Sequence, residues 1–462
     1  MSAGIHISPD TIRSRFSAAM SAMYRDEVPA YGTLMDLVAG VNDETLAADP
    51  AERARLEEVD DLARISEERH GAIRLGTAEE LHIMRRLFAV MGMHPVGYYD
   101  LSEAGVPVHS TAFRPVGAEA LKRNPFRVFT SLLRLDLIED DALRAEAARL
   151  LSGRRIFTRG CLDLIEHAEA QGGLTDAEAG RFVTEALETF RWQPHANVGH
   201  DMYRRLHDAH RLIADVVSFK GPHINHLTPR TLDIDKVQAR MPARGITPKA
   251  VVEGPPTRKC PILLRQTSFK ALEEPVLFRA GEDWREGSHT ARFGEIEQRG
   301  VALTPKGRAL YDRLLSQTRR RCRPAADGSN ASEYMAALTE AFAAFPDDWA
   351  SLRAEGLAYF TYAPTEKGLA AGAGGKDLET LIAQGALRYD PIIYEDFLPV
   401  SAAGIFQSNL GDDAAQDFAA SPSQRRFEAD LGAAVLNEFD HYAAIQSASL
   451  DASLKALDGL AA

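Results

Sequence analysis

The chain has 462 residues, 45% of them hydrophobic and 26% charged, with 66 acidic against 53 basic side chains. That length allows two or three domains or one large elaborated one, and a formal charge of -13 argues against non-specific binding to nucleic acid or anionic membrane. The three cysteines, Cys161, Cys260 and Cys322, are widely separated and suggest neither a disulfide framework nor a thiolate metal site.

Met1 to Ser17 lack a basic segment followed by an apolar run, and no apolar stretch approaches the roughly 20 residues that span a bilayer. The expected location is therefore cytoplasmic. Ser8-Pro9-Asp10 is an N-cap signal, and Ile12, Phe16, Met20 and Met23 follow at helical spacing, so the pattern is helical to about Gly40. This methionine-rich stripe is read as core packing. Residues 50–66 read as a solvated helix. His70-Gly71 and the apolar residues after it then open a strand, on which Arg74 shares a face with His70 about 13 Å away. Thr77-Ala78-Glu79-Glu80 is a capping-box pattern that starts a helix running to about Met91. Strands are expected within 92–100 and at Val108–Arg114, with His94 and His109 as structural histidines.

From Pro125 to His210 the pattern reads as helical, over Arg127–Leu137, Asp141–Leu151, Phe157–Gln171, Ala177–Thr189 and Tyr203–Val217. His207 and His210 share a helix face without an HExxH pattern and are taken as structural. The stretch Gly221–Arg230 is different, because His223 and His226 stand three apart between Pro222 and Pro229. Proline at both ends argues against a helix interior, and Ile224, Leu227, Leu232 and Ile234 suit a strand or strand edge. Further strands are expected at Pro261–Phe269 and at Gly287–Gly300, the latter placing Phe293, Glu295 and Glu297 on one face. Helices follow from Thr304 to Gln317, at 330–344 and at 347–355. The glycine-rich 367–377 loop lacks GxGxxG and GxxxxGK and is rejected as a nucleotide site. Asp390–Val400 reads as a last strand entering the small-residue turn Ser401–Phe406, where a substrate can approach the backbone. Helical sequence closes the chain.

Two neutral imidazoles and one carboxylate on separate strands make a facial set that suits Fe(II). Such a set leaves three positions, two for a chelating 2-oxo acid and one for dioxygen. A neighbouring arginine would pair a distal carboxylate. Spacing alone does not select the residues.

Five blocks spread along the chain, His70–Arg74, Gly97–Leu101, Gly221–Arg230, Phe293–Arg299 and Asp396–Gly404, resemble the 2-oxoadipate dioxygenase/decarboxylase family. The resemblance implies an α+β fold of vicinal-oxygen-chelate type, with βαβββ modules forming a curved sheet around a metal site. It implies one elaborated domain over 1–462, with helical additions at about 1–66, 125–217 and 410–462. Phe293–Arg299 also resembles the strand that carries the ligand carboxylate in 4-hydroxyphenylpyruvate dioxygenase, which points to Glu295 rather than Glu297. Carried over by position, the Fe(II) ligands fall on His70, His226 and Glu295, the substrate-binding arginine on Arg74, and the Val-Ser substrate contact on Val400 and Ser401. His223, beside Arg74, is the other candidate to act on substrate or on a ligand, and Glu297 either plays a similar part or pairs with Arg299. The implied reaction takes 2-oxoadipate and O2 to D-2-hydroxyglutarate and CO2 in lysine catabolism, with no separate 2-oxoglutarate cosubstrate. The same scaffold also admits a metal-dependent lyase or isomerase acting without O2, or a non-catalytic 2-oxo-acid-binding protein.

Overall fold

Strand β1 (Arg69–Leu75) is followed within three residues by the helix Ala78–Val90, whose N-cap Thr77 accepts from the Glu80 N–H. The computed structural model describes residues 5–58, 62–102, 104–325, 328–372, 376–398 and 422–458. After that helix come β2 (His94–Asp100), β3 (Val108–Arg114) and β4 (Arg127–Leu133), and much later β5 (His195–Gly199) and the short β6 (Leu227–Pro229). Five of these form one sheet in the order β2-β3-β4-β1-β6. β1 is parallel to β4 and antiparallel to β6, so it lies inside the sheet with partners on both sides. Residues 69–133 thus run strand, helix, strand, strand, short helix (Ala118–Arg123), strand, with the first and last strands adjacent.

Alternation along β1 sorts its side chains. Ile73 and Leu75 join a core with Phe113, Val128 and Leu132 of the same sheet and with Phe16, Met20, Leu81 and Phe88 from the helices. The methionine-rich stripe of Pro9–Glu27 is buried there. Ala72 turns to the other face, among Tyr99, Phe129 and Phe397. His70 and Arg74, two residues either side of Ala72, share that second face.

Five expectations are corrected. The segment predicted as the helix Arg127–Leu137 is β4 as far as Leu133 and then a short 3-10 turn. Every residue of β4 is buried, so the polar-apolar alternation that marks a half-exposed strand is missing. The predicted helix Tyr203–Val217 is two helices, His200–Ala209 and Arg211–Ser218, because His210 turns extended and its ring accepts from the Leu212 N–H to cap the second. The predicted strand Gly287–Gly300 is broken. Its first part belongs to β9 (Asp283–Thr290), antiparallel to β8 (Glu273–Ala280), and its last to β10 (Glu295–Arg299). Ile234 starts a helix capped by Asp233 instead of extending a strand. Near the chain end the strand is β12 (Leu387–Pro391), paired with β11 (Phe360–Pro364), and within the predicted strand Asp390–Val400 it does not continue through the described residues 392–398.

The chain divides into two compact units. The first comprises Met1–Glu253, Gln266–Gln298 and Phe397–Val435 and contains the five-stranded sheet. The second comprises Gly254–Arg265, Arg299–Asp396 and Leu436–Ala462 and contains β11, β12 and the helices Pro305–Arg321, Ala331–Phe342 and Glu438–Asp458. Among the described residues no helix is long and apolar enough to cross a membrane.

Candidate active site

Three chain segments meet beside β1. His70 lies between Arg127 of β4 and Thr228 of β6. The segment leading into His226 is fixed by its backbone: the Asn225 N–H donates to Ala72 O at 3.0 Å, and Asn225 O accepts from the Phe293 N–H at 3.2 Å. The buried Tyr24 hydroxyl ties the same two segments together, 2.9 Å from Asn225 O and 2.7 Å from Phe293 O. His226 and Glu295 follow directly and are thereby brought to His70. One donor atom from each of His70, His226 and Glu295 lies within 4.8 Å of the others, and all three residues are fully buried.

The electrostatics of this cluster are those of a site built around a cation. Neither ring nitrogen of His70 or His226, nor Glu295 Oε2, makes an aligned hydrogen bond among the described residues. Buried polar atoms are normally paired, so this many orphans in one place mark a missing partner. Glu295 is aimed by its other oxygen, Oε1, which accepts from Gln266 Nε2 at 2.7 Å and from Thr228 Oγ1 at 3.2 Å. His70 lies between carboxylates, with Nε2 3.2 Å from Glu295 Oε1 and Nδ1 3.0 Å from Glu297 Oε2. Burial alone would lower the His70 pKa, but Glu297 and Glu295 outweigh it and raise the value above the ordinary one. Burial, reinforced by the nearby His70, holds His226 well below the ordinary value, so its imidazole is neutral and offers a lone pair. Behind His70 runs a buried ionic chain. Arg127 Nη1 is 3.3 Å from Glu297 Oε1, Arg127 Nη2 is 2.8 Å from Glu68 Oε1, and Arg230 Nη1 is 2.7 Å from Glu68 Oε2. The donor set fits a divalent transition metal held by two imidazoles and a carboxylate.

The family model for 2-oxoadipate dioxygenase/decarboxylase matches residues 16–409. A 2-oxoadipate dioxygenase/decarboxylase of Pseudomonas putida is 59% identical over 461 residues, covering 99% of both chains. Its counterpart in Escherichia coli is 58% identical over 439 residues, 94% of this chain and 96% of that one. This chain belongs to the 2-oxoadipate dioxygenase/decarboxylase family. A crystal structure of the hydroxyglutarate synthase from Pseudomonas putida in complex with 2-oxoadipate matches this family member with a TM-score of 0.91 and 58% identity, over 98% of this chain and 100% of that one.

In this dioxygenase/decarboxylase-family chain a cavity of about 600 Å³ lies beside the cluster, lined among others by Arg74, Arg211, Asp215, Lys249, His289 and Phe293. Phe293 connects cavity and cluster, since its ring centroid is 4.7 Å from that of His226. Phe397 covers His70 at 4.9 Å. Arg74 reaches the cavity from the same strand face as His70 and pairs with Asp215 at 2.7 Å.

Of the residues singled out from sequence, His70, His226, Glu295 and Arg74 therefore converge on one region. Glu297 contacts His70 and Arg127, while Arg299 donates instead to the carbonyls of Tyr394 and Asp396. His223 stands apart from the cluster, with Nε2 3.4 Å from Asp215 Oδ1 and its ring 4.7 Å from Trp192. Val400 and Ser401 lie outside the described residues. Sequence reasoning missed Tyr24, Glu68, Arg127 and Gln266. Glu68 stands two residues before His70, Arg127 was hidden in a misread helix, and nothing in the spacing marks Tyr24 or Gln266.

Proposed function

We propose that this chain is an Fe(II)-dependent enzyme that converts 2-oxoadipate and O2 to D-2-hydroxyglutarate and CO2, a reaction of lysine catabolism. The observation that carries the proposal is the convergence of His70, His226 and Glu295, whose four ring nitrogens and one carboxylate oxygen are buried without aligned partners among the described residues, next to a cavity that holds Arg74. The name and the bound ligand of the Pseudomonas putida relatives support the same substrate. The run of residues 69–133, strand, helix and three strands with the short helix Ala118–Arg123 inserted before the last, supports a vicinal-oxygen-chelate ancestry for the sheet, and we read the chain as one dioxygenase domain serving a single centre.

His70, His226 and Glu295 would hold the metal. Bound there, Fe(II) supplies open positions for a chelating 2-oxo acid and for O2, and so the means of oxidative decarboxylation. The protein's own groups do the rest. Gln266 and Thr228 fix the Glu295 carboxylate, and Glu297, held by Arg127, fixes the His70 ring. Phe293 and Phe397 exclude water from the two imidazoles. Arg74 receives the far carboxylate of the substrate, which selects a dicarboxylic 2-oxo acid over a monocarboxylic one. Both oxygen atoms of O2 are accounted for in the products, and no second organic substrate enters.

The test is O2 uptake by metal-free protein loaded anaerobically with Fe(II) and given 2-oxoadipate. Uptake, CO2 and 2-hydroxyglutarate should appear in equal amounts, and Glu295→Ala should abolish all three. Product formed without O2 uptake would refute the proposal.

A further inference from the structure

Beside the metal cluster lies a second buried polar array that the chemistry above does not use. Tyr203 Oη is 2.8 Å from His289 Nδ1, His289 Nε2 is 3.0 Å from Asp215 Oδ1, and Asp215 Oδ2 is 2.7 Å from Arg74 Nη1. The four residues come from four different elements: the helix His200–Ala209, strand β9, the helix Arg211–Ser218 and strand β1. Donors and acceptors match along the whole chain in the tautomer that carries the hydrogen on His289 Nε2. The Tyr203 hydroxyl donates to Nδ1, Nε2–H donates to Asp215 Oδ1, and the guanidinium donates to Oδ2. The Trp192 ring stacks on His289 and sets the plane of the imidazole. Burial would raise the Asp215 pKa, but the Arg74 guanidinium and the hydrogen bond from His289 hold it well below the ordinary carboxylate range.

Resting on the function proposed above, we infer that Asp215, braced by His289 and Tyr203, is a positioning residue for Arg74 and thereby sets the preference for a distal carboxylate. An arginine at a cavity wall has many rotamers, and a recognition site gains from fixing one of them before the ligand arrives. Asp215 does this from behind, in a bond directed by a carboxylate that cannot rotate away, since its other oxygen is committed to His289. Arg74, Tyr203, Asp215 and His289 all line the same cavity, so the brace sits in the wall of the space the substrate would occupy. The array is therefore aimed at one end of a ligand whose other end would lie at the His70–His226–Glu295 cluster.

The test compares two acids, 2-oxoadipate and 2-oxohexanoate, which differ in the distal carboxylate alone. In Asp215→Asn an amide NH2 replaces one acceptor and faces either Arg74 or His289 donor to donor. For 2-oxoadipate both KM and the anaerobic dissociation constant of the Fe(II)-loaded protein, measured by calorimetry, should rise about tenfold, with kcat within about twofold. For 2-oxohexanoate neither constant should move. Tyr203→Phe removes only the last hydroxyl of the array, keeps the ring packing, and should give a rise of about two- to threefold in the same direction, so it carries the test if Asp215→Asn does not fold. Equal losses for the two acids would reduce Asp215 to a structural group, and a lower KM would make it a competitor of the substrate; either result overturns the inference. Wild-type protein that neither binds nor oxidises 2-oxoadipate would refute the functional reading and this inference with it. Active wild type with unchanged variants would refute the inference alone.

Discussion

Glu297→Gln separates a residue that merely balances charge from one that tunes the proposed metal centre. Glu297 is fully buried, with one oxygen 3.0 Å from His70 Nδ1 and the other 3.3 Å from Arg127 Nη1. Glutamine keeps the shape but has a single acceptor oxygen, so it serves His70 or Arg127 and turns an NH2 toward the other. The loss is one contact to a charged group, with the roughly 1.5–3 kcal/mol of an aligned charged hydrogen bond as its upper bound. It stops short of an orphaned charge, because Arg127 keeps Glu68 at 2.8 Å. On the metal side, losing the carboxylate behind a ligating imidazole weakens affinity by about 10–100-fold, or about 1.4–2.7 kcal/mol. Urea denaturation of the metal-free variant measures the first quantity, and competition for Fe(II) against a chelator under argon measures the second. A variant that loses the stability but keeps its metal affinity within about twofold would refute the reasoning, since Glu297 would then act on Arg127 alone.

Arg74→Ala should raise KM for 2-oxoadipate by about 30–100-fold, the worth of a buried charge pair, while 2-oxohexanoate is nearly unaffected; steady-state kinetics on both acids decide it, and equal losses would remove the role given to Arg74. Acid should destabilise the protein from about pH 6.5 downward. Burial depresses His109 to about 4 and His223 to about 3. The unfolded chain then binds more protons than the folded one, and each histidine's stabilisation is complete above pH 6.5 and lost at about 1.4 kcal/mol per pH unit below it. His70, where burial lowers the pKa but Glu297 and Glu295 raise it above the ordinary value, contributes no loss of this kind on the acid side. Denaturant midpoints that stay flat between pH 7 and 5 would contradict this. Gly294→Ala should cost about 1–3 kcal/mol, because its methyl collides with the Phe269 ring, and should also weaken metal binding by displacing the adjacent Glu295. A thermal melt and the same chelator competition read both effects.

The features legible in the sequence are those written in local chemistry. Ser8 and Thr77 cap helices, and Ile12, Phe16 and Met20 mark a buried stripe; their physical causes lie within a few residues of each other. β4 was illegible for the opposite reason. It is covered on both faces, so the period that identifies a strand is erased by its burial. The break between Thr290 and Glu295 was equally hidden, because the chain leaves β9 there to meet Asn225, a partner close in space and remote in sequence. His70, His226 and Glu295 follow no spacing rule, and only the resemblance of their surrounding blocks set them together in advance. Gln266, Asp215 and Tyr24 have no such block. Their roles exist only once the sheet has brought their neighbours to them.

The Tyr24 hydroxyl spans 201 residues to Asn225 and 269 to Phe293, so the helix Pro9–Glu27 is the clasp of the candidate metal site. Folding inherits an order from this. The candidate donors at positions 226 and 295 are fully braced only when this helix has docked on segments synthesised long after it, so metal uptake during refolding should lag behind formation of the sheet. A nick or lesion confined to residues 9–27 should therefore loosen the candidate ligands His226 and Glu295, to whose set that helix contributes no residue.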